Sequence, residues 1–178
     1  MSIERLEPIL KIRVETENDI EAIFALNKSA FETDEEARIV DTLRKRGKLT
    51  LSLVALEEDK IVGHIAFSPM SFGSADNNSR IVALAPMAVA PSKQKTGIGS
   101  KLIKEGLRIL KERGFEGVLL VGHPDYYPKF GFKPAASTFG LKCAFEVPDE
   151  AFLGLELGAD GFSKLKGAAH FSEEFSSN

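Results

Sequence analysis

A chain of 178 residues that is 43% hydrophobic and 28% charged is too apolar for disorder and is expected to form one globular domain over 1–178. Its formal net charge of −3 excludes a general attraction to nucleic acid or an anionic membrane, so a polyanion must be held by a local device. Cys143 is the one cysteine, which excludes an internal disulfide and fits a reducing cytoplasm; no apolar run reaches the ~20 residues of a membrane span, and residues 1–13 lack a signal-peptide core.

Residues 11–15 alternate and read as a first strand. Thr16 with Asp19 forms a capping-box pattern that opens a helix, with Ile20, Ile23, Phe24 and Phe31 along one face. Thr33 with Glu36 starts a second helix, its inner side carrying Ala37, Val40 and Leu43, and Gly47 ends it. Leu49, Leu51, Leu53 and Ala55 alternate with Thr50 and Ser52, a charged turn follows at 57–60, and 61–67 returns, so 49–68 reads as a β-hairpin. The polar stretch 71–79 reads as a loop. Next comes an apolar strand over 80–89, where Pro86 has no N–H to give a neighbour and predicts a bulge or a splay.

The clearest helix is 97–113, with Ile98, Leu102, Ile103, Leu107, Ile109 and Leu110 on one broad face and Gly114 as its stop. A buried-type strand at 117–121 makes 81–121 a strand–helix–strand unit, which implies a parallel crossover. Residues 125–130 are at most a short helix, and 139–147 and 152–157 read as two more strands.

Chemistry is concentrated where the apolar strand runs into the long helix. A helix N-terminus presents unpaired N–H groups and a partial positive charge, which makes it a ready anion site. In Gln94-Lys95-Thr96-Gly97-Ile98-Gly99, two glycines remove the side chains that would hold a phosphate away, and Lys93, Lys95 and Lys101 add positive charge. The segment has no Gly-Lys-Ser/Thr end for a P-loop, and Leu102 stands where a dinucleotide fingerprint needs a third glycine.

The run from Leu84 through Ala85-Pro86-Met87-Ala88-Val89 to Gly99 resembles the acetyl-coenzyme A motif of the GNAT N-acetyltransferases. Tyr126-Tyr127-Pro128-Lys129-Phe130-Gly131-Phe132 resembles their Tyr-x-x-x-Gly-Phe segment, and with Gly122-His123-Pro124-Asp125 it is similar to a bacterial and archaeal branch of that family. The likeness runs from Arg13 to about Leu157. It implies an α/β (α+β) fold: a mixed, centrally splayed sheet of about six or seven strands flanked by helices, with a core over about 11–157 and a C-terminal extension over 158–178. The resemblance further implies that free backbone groups of Met87, Ala88 and Val89 pair with the pantetheine arm of acetyl-CoA. It also implies that Gln94 closes the loop and that the N–H groups of Lys95, Thr96, Gly97, Ile98, Gly99 and Ser100 hold the pyrophosphate.

Acetylation by direct attack needs a neutral amine, a polarised carbonyl and a proton for the departing thiolate. Tyr127, four residues before Gly131, matches the family tyrosine that gives that proton, with packing as its other reading. No acidic residue stands in 81–89, where many family members carry a glutamate base; His123 is the candidate best placed in sequence, with His64, Glu32, Asp34 and Glu35 behind it. His64, on an apolar strand, reads as a satisfied core residue, and Cys143 as a small packed residue rather than a nucleophile. Histidine and cysteine show no ligand spacing, so no metal is expected. Two readings stay open: an N-acetyltransferase acting on a small-molecule or peptide amine, and an acyl-CoA sensor that lost the chemistry. A homodimer is also open.

Overall fold

The computed structural model describes residues 8–73 and 80–176. Residues 1–7 and most of the expected loop at 71–79 therefore lie outside the described residues. Helices and strands alternate as β1 Leu10–Val14, α1 Ile20–Ala30, α2 Glu35–Lys45, β2 Leu51–Glu57, β3 Lys60–Pro69, β4 Ser71–Phe72, β5 Ile81–Val89, α3 Ile98–Glu112 and β6 Gly117–Val121. After a 3-10 turn at Tyr127–Phe130 come β7 Lys133–Pro134, α4 Ala135–Phe139, β8 Lys142–Cys143, β9 Phe152–Glu156 and β10 Ala168–His170. One mixed sheet has the order β1-β2-β3-β5-β6-β9-β7, and β4-β10-β8 form a second, smaller one.

The expected start of the first helix has a physical counterpart, whereas the second begins after Asp34 rather than Thr33, with no side-chain cap bond. The Thr16 backbone N–H donates to Asp19 Oδ2 at 2.7 Å, and Arg13 holds the same carboxylate, so the chain enters α1 through one 3-10 turn. The inner side of α1 is Ile23, Leu26 and Asn27, whereas Ile20 and Phe24 are only half-buried. In α2, Ala37, Val40 and Leu43 are buried as the spacing required. The hairpin is present too, with Glu58 and Asp59 both in the left-handed region at its tip, φ 49° and 64°.

Both faces of β2 are covered. Ser52 alternates with apolar residues yet is buried, because α1 and α2 cover that side of the sheet while α3 covers the other. The hydroxyl is satisfied by His64 Nε2 at 2.8 Å, and His64 Nδ1 meets Asn27 Nδ2 at 3.2 Å. His64 is thus the fixed core residue its apolar strand suggested, 0% exposed.

Burial pushes the His64 imidazole down to about 4, below its ordinary 6.5. Above pH 6.5 the ring is neutral both folded and unfolded and contributes no pH dependence. As pH falls from 6.5 to 4 the unfolded chain takes up a proton that the folded chain refuses, so stability is lost across that window, by about 3 kcal/mol at its end. Urea unfolding at pH 7 and pH 4.5 should show a loss about 2–3 kcal/mol smaller in His64→Gln than in the native chain. Equal losses in the two proteins would remove His64 as the cause.

One correction concerns 139–147. Phe139, Leu141, Cys143, Phe145 and Val147 alternate like a strand, but Phe139 ends α4, Gly140 turns back at φ 69°, and only Lys142–Cys143 pairs, with β10. The expected strand 152–157 is present as Phe152–Glu156, since β9 is antiparallel to β6 from Phe152↔Val121 to Glu156↔Gly117, and Leu157 lies just past its end.

Candidate functional site

The site begins where the central sheet comes apart. β5 and β6 are parallel, and their pairing covers only Ile81↔Gly117, Val82↔Val118 and Ala83↔Leu119. Beyond Ala83 the strands part, while β5 stays on β3 through Val89. The departure contains a bulge: Ile65 pairs with Met87 and Phe67 with Leu84, so three steps of β5 match two of β3 around Ala85–Pro86. Pro86 therefore marks both a bulge and a splay.

The bulge also inverts the facing of side chains. Ile81 and Ala83 belong to the core under the small sheet, and Val82 and Leu84 to the core under α3. After the extra residue Met87 and Val89 face α3, where unbroken alternation would have turned them away. The Ala90 N–H donates to Val62 O at 2.9 Å, which by the same alternation directs the peptide groups of Met87 and Val89 to the open, β6 side.

The chain next makes a 3-10 turn at Pro91–Lys93 and reaches α3 through Gly97 at φ 92°, a left-handed conformation that suits glycine. The first helical bond is Lys101 N–H to Gly97 O, leaving the N–H groups of Ile98, Gly99 and Ser100 without helical acceptors. A Cβ at Gly97 would meet nothing within 4 Å, so the mouth is open. One at Gly99 would lie 3.1 Å from the Tyr126 hydroxyl and 3.2 Å from Met87 Cε, so there the cradle is narrow. Gln94 Nε2 donates to Val89 O at 3.2 Å and ties the loop to the end of β5, and Thr96 Oγ1 donates to Lys93 O at 2.5 Å.

Charge around the loop is not as the bare sequence suggests. Lys93 Nζ lies 2.9 Å from Glu57 Oε2, so its charge is already answered across the hairpin. Lys95 and Lys101 are exposed. Lys129, which the sequence reading did not single out, sits 4.2 Å over the Tyr126 ring.

The two tyrosines occupy different places. Tyr126 Oη reaches Ser100 Oγ at 3.4 Å, on the first turn of α3. The Tyr127 ring packs edge-on against Phe132 at 5.8 Å and against Gly122 at the end of β6. Burial first, then the neighbouring Tyr126, pushes the Tyr127 phenol up to about 12, so it is fully protonated at neutral pH. His123 is exposed two residues past β6, and its carbonyl accepts the Tyr126 N–H at 3.3 Å. Among the acidic candidates, Asp34 is held by Arg38 at 2.8 Å, whereas Glu32 and Glu35 are exposed. Cys143 is half-buried in β8, and no three His, Cys, Asp or Glu residues gather to hold a metal ion among the described residues. No helix among the described residues is long and apolar enough to cross a membrane.

On the other face of the split, a cavity of about 600 Å³ lies between Ala85, Val121 and aromatic residues from 145 to 175. Nothing in the local sequence signalled it, because its walls come from segments far apart in the chain.

Comparison with known proteins gives this geometry a family. Residues 11–135 match the family model described as "Acetyltransferase (GNAT) domain". The chain is 36% identical over 165 residues to the N-acetyltransferase YhbS of Escherichia coli, covering 92% of this chain and 97% of that one. The crystal structure of E. coli YhbS in complex with CoA superposes with a TM-score of 0.90 at 34% identity, over 99% of this chain and 97% of that one. A GNAT acetyltransferase of Brucella melitensis, solved with acetyl-CoA, gives 0.79 at 34% identity over 95% and 99%. The split sheet, the glycine loop and these likenesses agree: the chain belongs to the GNAT acetyltransferase family.

Proposed function

We propose that the chain transfers an acetyl group from acetyl-CoA to a primary amine of a small molecule or peptide, by direct attack within a ternary complex and within a single domain over 1–178. The observation that carries this reading is the end of β5–β6 pairing at Ala83, beside unaccepted N–H groups at the start of α3. A diphosphate fits those N–H groups, and an extended amide-bearing arm fits the peptide groups of Met87 and Val89 as an added strand, with Ala88 between them turned to β3. Two relatives solved with CoA or acetyl-CoA support the choice of ligand. Gln94 steadies the loop, and the backbone of Lys95, Thr96, Gly97, Ile98, Gly99 and Ser100 forms the anion cradle.

The acyl donor supplies an activated thioester carbonyl. An N–H at the free end of β5 polarises that carbonyl. The amine nitrogen bonds to the carbonyl carbon as the carbon–sulfur bond breaks, the thiolate sulfur takes the phenolic proton of Tyr127, the proton shed by the amine passes to His123 and on to water, and water returns a proton to Tyr127.

Free-thiol release from acetyl-CoA over a panel of amines tests the reading, with calorimetric titration of acetyl-CoA beside it. Binding without turnover on any amine would mark a sensor instead. Gly99→Val should weaken acetyl-CoA at least tenfold with little effect on thermal stability. The added carbons fill the cradle, and the groups they meet, Met87 Cε and the Tyr126 hydroxyl, are side-chain ends rather than backbone. An unchanged affinity would remove the loop from the binding site.

A further inference from the structure

The cavity of about 600 Å³ opposite α3 occupies a defined place in the split. Extending the register Ala83↔Leu119 by two residues would set Ala85 opposite Val121, where pairing has stopped. Both residues line the cavity, so its floor is the opening itself. The loop, Met87 and Tyr126 lie on the α3 face. A thioester entering from that side would meet an amine held on the other.

The walls define what fits. Phe145, Phe171 and Phe175 form a chain of rings, with centroids 5.8 Å and 6.1 Å apart. Phe145 is 53% exposed and Val121 42%, so two of the four large apolar side chains left open among the described residues line this one cavity. Among its described lining residues none is acidic. The volume suits a small molecule rather than a protein surface. By contrast, the cleft of about 480 Å³ beside α2 carries Asp34, Glu35 and Glu174, of which Asp34 and Glu174 already hold cations.

We infer that this cavity is the acceptor site and that it takes small primary amines bearing an aromatic ring. The inference rests on the acetyltransferase reading above and adds to it the class of acceptor. Apolar contact holds the ring, and the aromatic wall disfavours the ammonium less than an aliphatic one would through cation–π attraction. Leaving water still favours the neutral amine, which is the nucleophile. The absence of a carboxylate from β5 is thereby accounted for: the site selects a neutral amine by desolvation.

The test compares 2-phenylethylamine, spermidine and a lysine amide by thiol release, with acetyl-CoA affinity measured separately. The aromatic amine should be turned over with kcat/KM at least tenfold above the other two. Phe171→Ala should raise its KM tenfold or more while leaving acetyl-CoA affinity within twofold. Phe145→Ala, at a half-open side chain whose loss the fold tolerates, should raise it severalfold. If acetyl-CoA fails to bind, the underlying reading falls. If acetyl-CoA binds but spermidine or the lysine amide is preferred, if no aromatic amine is acetylated, or if both Phe variants leave KM unchanged, the inference about the cavity alone is overturned.

Discussion

Replacing Tyr127 by Phe should lower kcat about 100-fold and leave acetyl-CoA affinity nearly unchanged, the size expected for a lost general acid. The ring has its packing role in either protein, against Phe132 and Gly122, so the substitution removes one hydroxyl and little else. A phenol pushed up to about 12 is a weaker acid than a thiol in water, which weighs against full proton transfer. The same burial acts on the departing thiolate and raises its proton affinity, and a hydrogen bond donated to developing negative charge in a dry site is itself strongly stabilising. An acid so placed would operate without an alkaline limb of its own: kcat should not fall between pH 8 and pH 10 on account of Tyr127.

Tyr126 provides the contrast. Its hydroxyl faces Ser100 on the first turn of α3, so Tyr126→Phe should weaken acetyl-CoA modestly and spare kcat. Steady-state kinetics on both variants separate the roles. A Tyr127→Phe enzyme with native kcat, or a Tyr126→Phe enzyme with the large kcat loss, would reverse the assignment.

What could be read from the residues depended on how local the cause was. The β5–α3–β6 unit was legible because each piece signals itself: an apolar run, a glycine pair, a broad apolar helical face and a terminal glycine. Pro86 announced the bulge, and the glycine pair marked the loop that opens α3. By contrast, the alternation over 139–147 misled because a strand needs a partner, and the one available to Lys142–Cys143 is β10, a three-residue strand over twenty residues later. Strands of two or three residues are too short to carry a period, so the small sheet left no trace in the pattern. Lys93 looked free beside the loop because its partner, Glu57, belongs to the hairpin. The aromatic cavity was hidden for the same reason, since Ala85 and Phe171 line one space only once the C-terminal segment has folded back.

The residue that returns this segment to the sheet gives the largest stability prediction. Phe162 is 3% exposed and lies on two glycines of adjacent strands, Gly117 of β6 and Gly154 of β9. A Cβ on Gly154 would come within 3.1 Å of its ring, and one on Gly117 would collide with it, so this depression in the sheet exists to receive an aromatic ring. The edge of Phe139 covers it at a centroid distance of 4.9 Å, and the Phe162 N–H donates to Glu156 Oε2 at 3.1 Å.

Phe162→Ala should therefore cost about 3–5 kcal/mol, because glycines on paired strands have no side chains to move into the void and the cavity persists. Urea unfolding measures it, and a loss below about 1 kcal/mol would show that the segment is held elsewhere. Phe162→Leu, which fills most of the volume, should recover much of the difference. The functional consequence is one-sided. Phe171 and Phe175 follow Phe162 in the chain, whereas the glycine loop lies across the sheet on α3. Under conditions where Phe162→Ala remains folded, its amine KM should rise while its acetyl-CoA affinity stays native, placing donor and acceptor on opposite faces of one split sheet.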